Sequence, residues 1–130
     1  MGGSSGVMFD ELLALAKQVL TQGACSRPDA IATLNTKRDE PVWAELASYY
    51  ACALCFFDAG RLEQETPRLK NSSEAVFQAV GCHGVAEAAA LAAAGPTSIL
   101  AVEKTTSVRA TGALAIAEPN SASQFRKGKS

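Results

Sequence analysis

Apolar residues recur at helical spacing through Phe9, Leu12, Leu13, Ala16, Val19 and Leu20, and Gly23 ends the run. This predicts an amphipathic first helix behind a leader of small residues, MGGSSG. The stretch DAIATLNTK (29–37) changes period and reads as a short strand ending at Thr36-Lys37. DEPVWAELASYYA follows, with Pro41 in the first turn of a second helix, where its missing N–H costs nothing. ALCFFDAG (53–60) reads as a second buried strand closed by Asp58 and Gly60, and a polar connection then passes through Pro67. Ser72-Ser73-Glu74 opens a short helix, with the serines as caps. A fourth, alanine-rich helix runs from Val85 to Ala94 and stops at Gly95-Pro96. SILAVEK and ATGALAIAE, joined across Thr105–Arg109, suit an antiparallel hairpin.

Strands alternating with helices predict a single layered α/β domain. Its sheet is expected to be mostly parallel or mixed, with helices on both faces and a C-terminal β-hairpin. The pattern has a gap at its front, because the first helix has no strand before it. Either MGGSSG is a remnant foreign to the fold, or the first strand is missing from this chain and the glycines form the strand-to-helix loop.

Size and charge narrow the picture. With 130 residues the chain has room for one core, expected over 1–118, followed by a flexible basic tail over 119–130. Residues 1–118 hold nine basic and thirteen acidic side chains, while the tail holds Arg126, Lys127 and Lys129 and no acid. That balance lacks the clustered basic face of a nucleic-acid binder. No apolar run approaches the ~18 residues of a membrane span. Cys25, Cys52, Cys55 and Cys82 read as reduced thiols of a cytoplasmic protein. The Cys52-Ala-Leu-Cys55 pair lies in the apolar setting YYACALCFF with no matching second pair. No metal and no cofactor are expected.

The candidate chemistry gathers at one sheet edge. If the first strands are parallel with right-handed crossovers, their carboxyl ends share an edge, where ligands of open α/β sheets bind. That edge receives the loop Gly2–Gly6, with Gly3, Ser4, Ser5 and Gly6, then Thr36-Lys37-Arg38, Asp58-Ala59-Gly60 and Lys104-Thr105. The fourth helix brings Gly81-Cys82-His83-Gly84 to the same edge. Glycines there permit close backbone approach, and first-turn N–H groups favour an anion. His83, the one histidine, is the leading candidate base, with Glu87, Asp58 and Glu103 as the acidic alternatives. The plainer reading is a tightly packed helix with a glycine entry, with Glu87 suiting the helix dipole and His83 satisfied within its loop. No GxxxxGK[ST] or GxGxxG fingerprint is present.

TPRLKNSSEAVFQAVGCHGVAEAAALAAAG, followed by LAVEKTTSVRATGALAIA, closely resembles the CobE and CbiG C-terminal family of cobalamin biosynthesis proteins. ATLNTKRDEP…WAELA, FFDAGRL and GSSGVMFDELLAL fit the same pattern, so the resemblance covers about residues 3 to 117. Two departures are the absent first strand and Gly112, where the family pattern has cysteine. The resemblance implies an α/β fold and a role in building the corrin ring in the cytoplasm. It suggests binding of a precorrin-type polycarboxylate tetrapyrrole. Lys37, Lys104, Thr105, Arg109 and the 81–84 backbone would meet its acid groups, and the Gly3–Gly6 loop would lie nearby. It also leaves open a CbiG-like hydrolase, with His83 as base and Lys104 stabilising negative charge, or a scaffold handing intermediates between pathway enzymes.

Overall fold

The computed structural model describes residues 1–117; the tail expected over 119–130 lies outside the described residues. The chain forms β1 (Gly2–Gly3), α1 (Phe9–Gln22), β2 (Ala30–Leu34), α2 (Pro41–Tyr50), β3 (Ala53–Phe57), α3 (Ala59–Glu63), α4 (Glu74–Val80), α5 (Ala86–Ala94), β4 (Ile99–Thr106) and β5 (Ala110–Ile116). β2 and β3 pair in parallel, from Ala30 opposite Ala53 to Leu34 opposite Phe57. β4 and β5 form the expected antiparallel hairpin, and β1 adds antiparallel to β5, with Gly2 opposite Thr111 and Gly3 opposite Ala110. The sheet layer is therefore mixed, in two parts ordered β1-β5-β4 and β2-β3.

β2 shows how one strand serves two helical layers. Its side chains alternate across the sheet. Ile31 joins Leu12, Leu15, Trp43 and Leu46 beneath α1 and α2. Ala32 and Leu34 join Leu62, Cys82, Ala88 and Ala89 beneath α3 and α5. Each large aliphatic side chain so buried contributes about 1.5–3 kcal/mol. The alanines of α5 have a steric purpose, because this helix packs against β2, β4 and β5 together. Gly112 serves the opposite face: a Cβ there would lie 3.1 Å from Val19 of α1, so the backbone admits the helix closely.

Several expectations need correction. Gly2 and Gly3, expected in a loop, form a short strand, and Ser4 continues it by donating its N–H to the Arg109 carbonyl at 2.8 Å. β2 ends at Leu34, because Asn35–Lys37 curl into a 3-10 turn. The connection after β3 contains an unforeseen helix, α3, capped by the Asp58 carboxylate accepting from Arg61 N–H at 2.7 Å. β3 is half exposed rather than buried, pairing among the described residues with β2 alone, so Cys52 and Cys55 are half-buried. β4 runs through Thr105 to Thr106, which shortens the hairpin turn to Ser107–Arg109.

Candidate functional site

An open cleft of about 400 Å³ lies between α4 and the tip of the β4–β5 hairpin. Ala75, Val76, Ala79 and Val80 of α4 form one wall. Gly2, Gly3, Ser4, Gly84 and Val85 form the base, and Lys104 with Thr106–Thr111 forms the opposite wall. Val80 and Val108 present apolar side chains to solvent at its rim, Val108 being 93% exposed. Among the described residues, neither Lys104 nor Arg109 has an ion-pair partner. The cleft combines an apolar surface with two free cations and a fringe of hydroxyls.

Three carboxylates fix its walls. Glu87, on α5, is 1% exposed. Its Oε1 accepts from the backbone N–H groups of Lys70 and Asn71 at 3.0 Å each. Its Oε2 accepts from the Asn71 side-chain amide and the Lys104 N–H, both at 2.8 Å. Burial alone would raise its pKa, but these donors outweigh burial and hold it below the ordinary value. A carboxylate with four donors is a fastening between the 70–71 loop and β4, and it places Lys104. Glu11 of α1 does the same for the hairpin tip, accepting from the Ser107 hydroxyl and from Arg109 N–H. The Ser107 bond, chiefly, lowers its pKa.

The third carboxylate, Glu63 on α3, holds His83. Its Oε1 accepts the His83 backbone N–H at 2.9 Å, and Oε2 lies 2.8 Å from Nδ1. His83 Nε2 lies 3.3 Å from Glu74 of α4, and the ring stacks on Phe77 with centroids 4.4 Å apart. The Glu63 bond is the main reason the imidazole pKa is raised, with Glu74 adding to it. The loop carbonyl of His83 also accepts from Ser73 N–H at 2.8 Å. His83 thus binds α3, α4 and its own loop together and lies outside the cleft lining.

The remaining candidate residues divide. Gly3, Ser4, Gly84, Lys104 and Arg109 line the cleft. Lys37 does not: its ammonium lies 3.5 Å from Glu40 in the turn after β2. Ser5 and Gly6 turn away from it into solvent, with Gly6 at φ +80°. Gly81 caps α4 at φ +89°, a conformation that disfavours any side chain. Cys82 is fully buried, and burial pushes its thiol pKa up. The Thr105 hydroxyl turns back to the Glu103 carbonyl, and the neighbouring Thr106 takes the cleft-facing place. Glu63 escaped the sequence reading because α3 was not foreseen, and Glu74, read only as the start of α4, was not foreseen as a partner of His83. Val76, Val80 and Val108 escaped it because apolar residues at a rim look like ordinary core.

Comparison with known proteins decides the family. The family described as Cobalamin synthesis G C-terminus matches residues 1–116. The chain belongs to this family. Protein CobE of a Sinorhizobium species is 43% identical over 108 residues, which covers 82% of this chain and 70% of that protein. The crystal structure of CobE, a protein from the cobalamin (vitamin B12) biosynthetic pathway, superposes with a TM-score of 0.81 at 35% identity and covers 88% of each chain. The cobalamin biosynthesis protein chiG from Agrobacterium tumefaciens gives a TM-score of 0.71 at 28% identity over 91% of this chain and 95% of that one. The chain is therefore a cobalamin biosynthesis family protein with the mixed α/β fold of CobE. Among the described residues no helix is long and apolar enough to cross a membrane.

Proposed function

We propose that the cleft binds a precorrin-type polycarboxylate tetrapyrrole in the cytoplasm. The observation that carries this reading is the two cations, Lys104 and Arg109, neither in an ion pair among the described residues, on an apolar cleft whose walls are fastened by buried or hydrogen-bonded carboxylates. A corrin precursor is a flat apolar ring edged with acetate and propionate groups. Val76, Val80 and Val108 would cover part of its face, and the cations would take its acid groups. Micromolar binding requires about 8 kcal/mol. An exposed charge pair supplies only ~0–1 kcal/mol, so most affinity comes from covering the ring, and the cations orient it. This reading involves no nucleic acid.

The hydrolase alternative has less support, because both His83 ring nitrogens face carboxylates and the ring lies outside the cleft lining. The scaffold alternative is compatible with the cleft and predicts that a pathway enzyme is retained in pull-downs. Optical titration with a panel of corrin intermediates separates these readings. We expect saturable spectral shifts without turnover, largest for polycarboxylate ligands. Turnover would restore the hydrolase reading, and spectra unchanged by every intermediate would remove the binding reading.

A further inference from the structure

α4 is weakly anchored for an element that walls a cleft. None of its seven residues, Glu74–Val80, is buried, and none belongs to either core cluster. Beyond its own Ser73 cap, one side-chain hydrogen bond among the described residues joins 74–80 to the rest of the chain. It runs between Glu74 and His83 Nε2, at 3.3 Å. The one aromatic side chain of α4, Phe77, stacks on the same imidazole, with ring planes 18° apart. His83 itself is fixed from the other side. Glu63 of α3 accepts its backbone N–H and meets its Nδ1, while Cys82 and Gly84 beside it are buried. α3 is seated in turn by Leu62, which is fully buried in the core.

We propose that α4 is a hinged flap on the cleft, held in its closed position by His83 acting as a latch. One hinge is Ser73, whose N–H is tied to the His83 carbonyl at 2.8 Å. The other is Gly81 at φ +89°, a region that glycine enters without steric cost. The latch has a half that depends on protonation. The titratable groups facing the ring are Glu63 of α3 and Glu74 of α4. Glu63 is the nearer, at 2.8 Å against 3.3 Å, so a neutral imidazole keeps its proton on Nδ1. It then turns a bare Nε2 lone pair toward the Glu74 carboxylate, and only the imidazolium donates to both. Deprotonation therefore frees α4 while His83 stays on α3. The raised imidazole pKa, owed first to Glu63, extends the closed state upward in pH. When the flap is open the cleft loses Val76 and Val80 from its wall, and apparent affinity falls with the closed fraction. That the flap closes on a polycarboxylate ring rests on the reading of the cleft above; the hinge and latch do not.

Amide exchange of the ligand-free chain, corrected for its intrinsic pH dependence, tests the flap. Protection of 75–80 should lie about ten-fold or more below that of α5. It should fall further from pH 6 to pH 9 while α5 holds. His83→Ala should lower protection of 75–80 by about another ten-fold at pH 6 and abolish the pH trend. Glu74→Ala, at a side chain 73% exposed, should lower it several-fold without disturbing Glu63 or the core. Protection of 75–80 equal to that of α5, or unmoved by both variants, would overturn the proposal. So would an equal loss in 75–80 and α5, which would make His83 a support of the whole fold. With cobyrinic acid, a corrin polycarboxylate, as probe, binding should restore protection of 75–80 by about ten-fold. Binding that leaves these amides unchanged would make α4 a fixed wall. The expected exchange pattern without binding of the probe would count against the reading of the cleft and support the flap.

Discussion

A groove between α1, α5, β2 and β5 has the same volume as the cleft, about 400 Å³, and both border β5, yet their linings differ in chemistry. At the cleft the strand edge is already used: Gly2 and Gly3 pair with Thr111 and Ala110, and Ser4 N–H bonds Arg109. What the cleft offers is side-chain chemistry, two cations and several hydroxyls around valines. In the groove the side chains are mostly alanine and aliphatic, and what remains on offer is backbone. Volume therefore says little about function here. The lining separates a cleft edged by cations and hydroxyls from an apolar groove, and β1 lies between the two.

The largest effect should come from Glu87, whose helix also walls the groove. Glu87→Ala leaves the N–H groups of Lys70, Asn71 and Lys104 without their buried acceptor. Losing that acceptor costs on the order of 3 kcal/mol, which lowers Tm by on the order of 10 °C in a chain of this size. Glu87→Gln keeps acceptor oxygen but cannot serve all four donors, so it should fall in between. The cleft should loosen with it, and amide exchange at Lys104 reports that directly. If Glu87→Ala melts like the parent chain, the carboxylate is not the fastening described here.

The cations should give the next effect, and only at the cleft. Lys104→Ala and Arg109→Ala should each weaken binding of a polycarboxylate corrin intermediate modestly. Together they should weaken it by more than ten-fold, or about 1.4 kcal/mol, at low salt, with the loss shrinking as salt screens it. Lys37→Ala should change nothing, because Glu40 already holds that ammonium away from the cleft. An amidated corrin should bind the double variant almost as well as the parent. Equal losses for acid and amide ligands would show that these side chains act through structure.

Legibility differed between the two regions for a physical reason. Periodic apolar runs with glycine or proline stops marked α1, α2, α5 and the β4–β5 hairpin, since each signal is local. Lys104, Arg109, Ser4 and Gly84 were legible because strand ends and helix starts share an edge whatever the details of packing. Lys37 was misplaced because a 3-10 turn redirects Asn35–Lys37 after β2. α3 was missed because five residues, AGRLE, are too few to show a period, although Asp58 ahead of them is a capping signal. With α3 went Glu63, so the choice between His83 as a base and His83 satisfied within its loop stayed open. The groove follows from which strand edges lack neighbours, a property of the whole sheet.

His83 should give the smallest effect, and its sign with pH is the informative part. The Glu63 bond raises the imidazole pKa in the folded protein. Stability from protonated His83 is therefore full below the unfolded value near 6.5 and is lost as pH rises through the folded value. Glu63 is shifted downward, with Thr66 and His83 outweighing the effect of burial, so its own contribution fades only as pH falls through the acid range. The buried Met1 amine works in the opposite direction: its pKa falls from 8.0 to about 5, so stability rises with pH across that interval. The two trends would blur in a single melting curve. Subtracting His83→Ala from the parent at each pH removes the amine, which is common to both. The difference should be a few degrees at pH 6 and should narrow as the ring loses its charge, where stacking on Phe77 and a neutral Nδ1–H bond to Glu63 remain. Ligand affinity at the cleft should follow the same pH trend, because His83 ties the 83–85 base to α4. A Tm gap that stays constant from pH 6 to 9 would mean that His83 acts through packing and a neutral hydrogen bond, with no part for its charge.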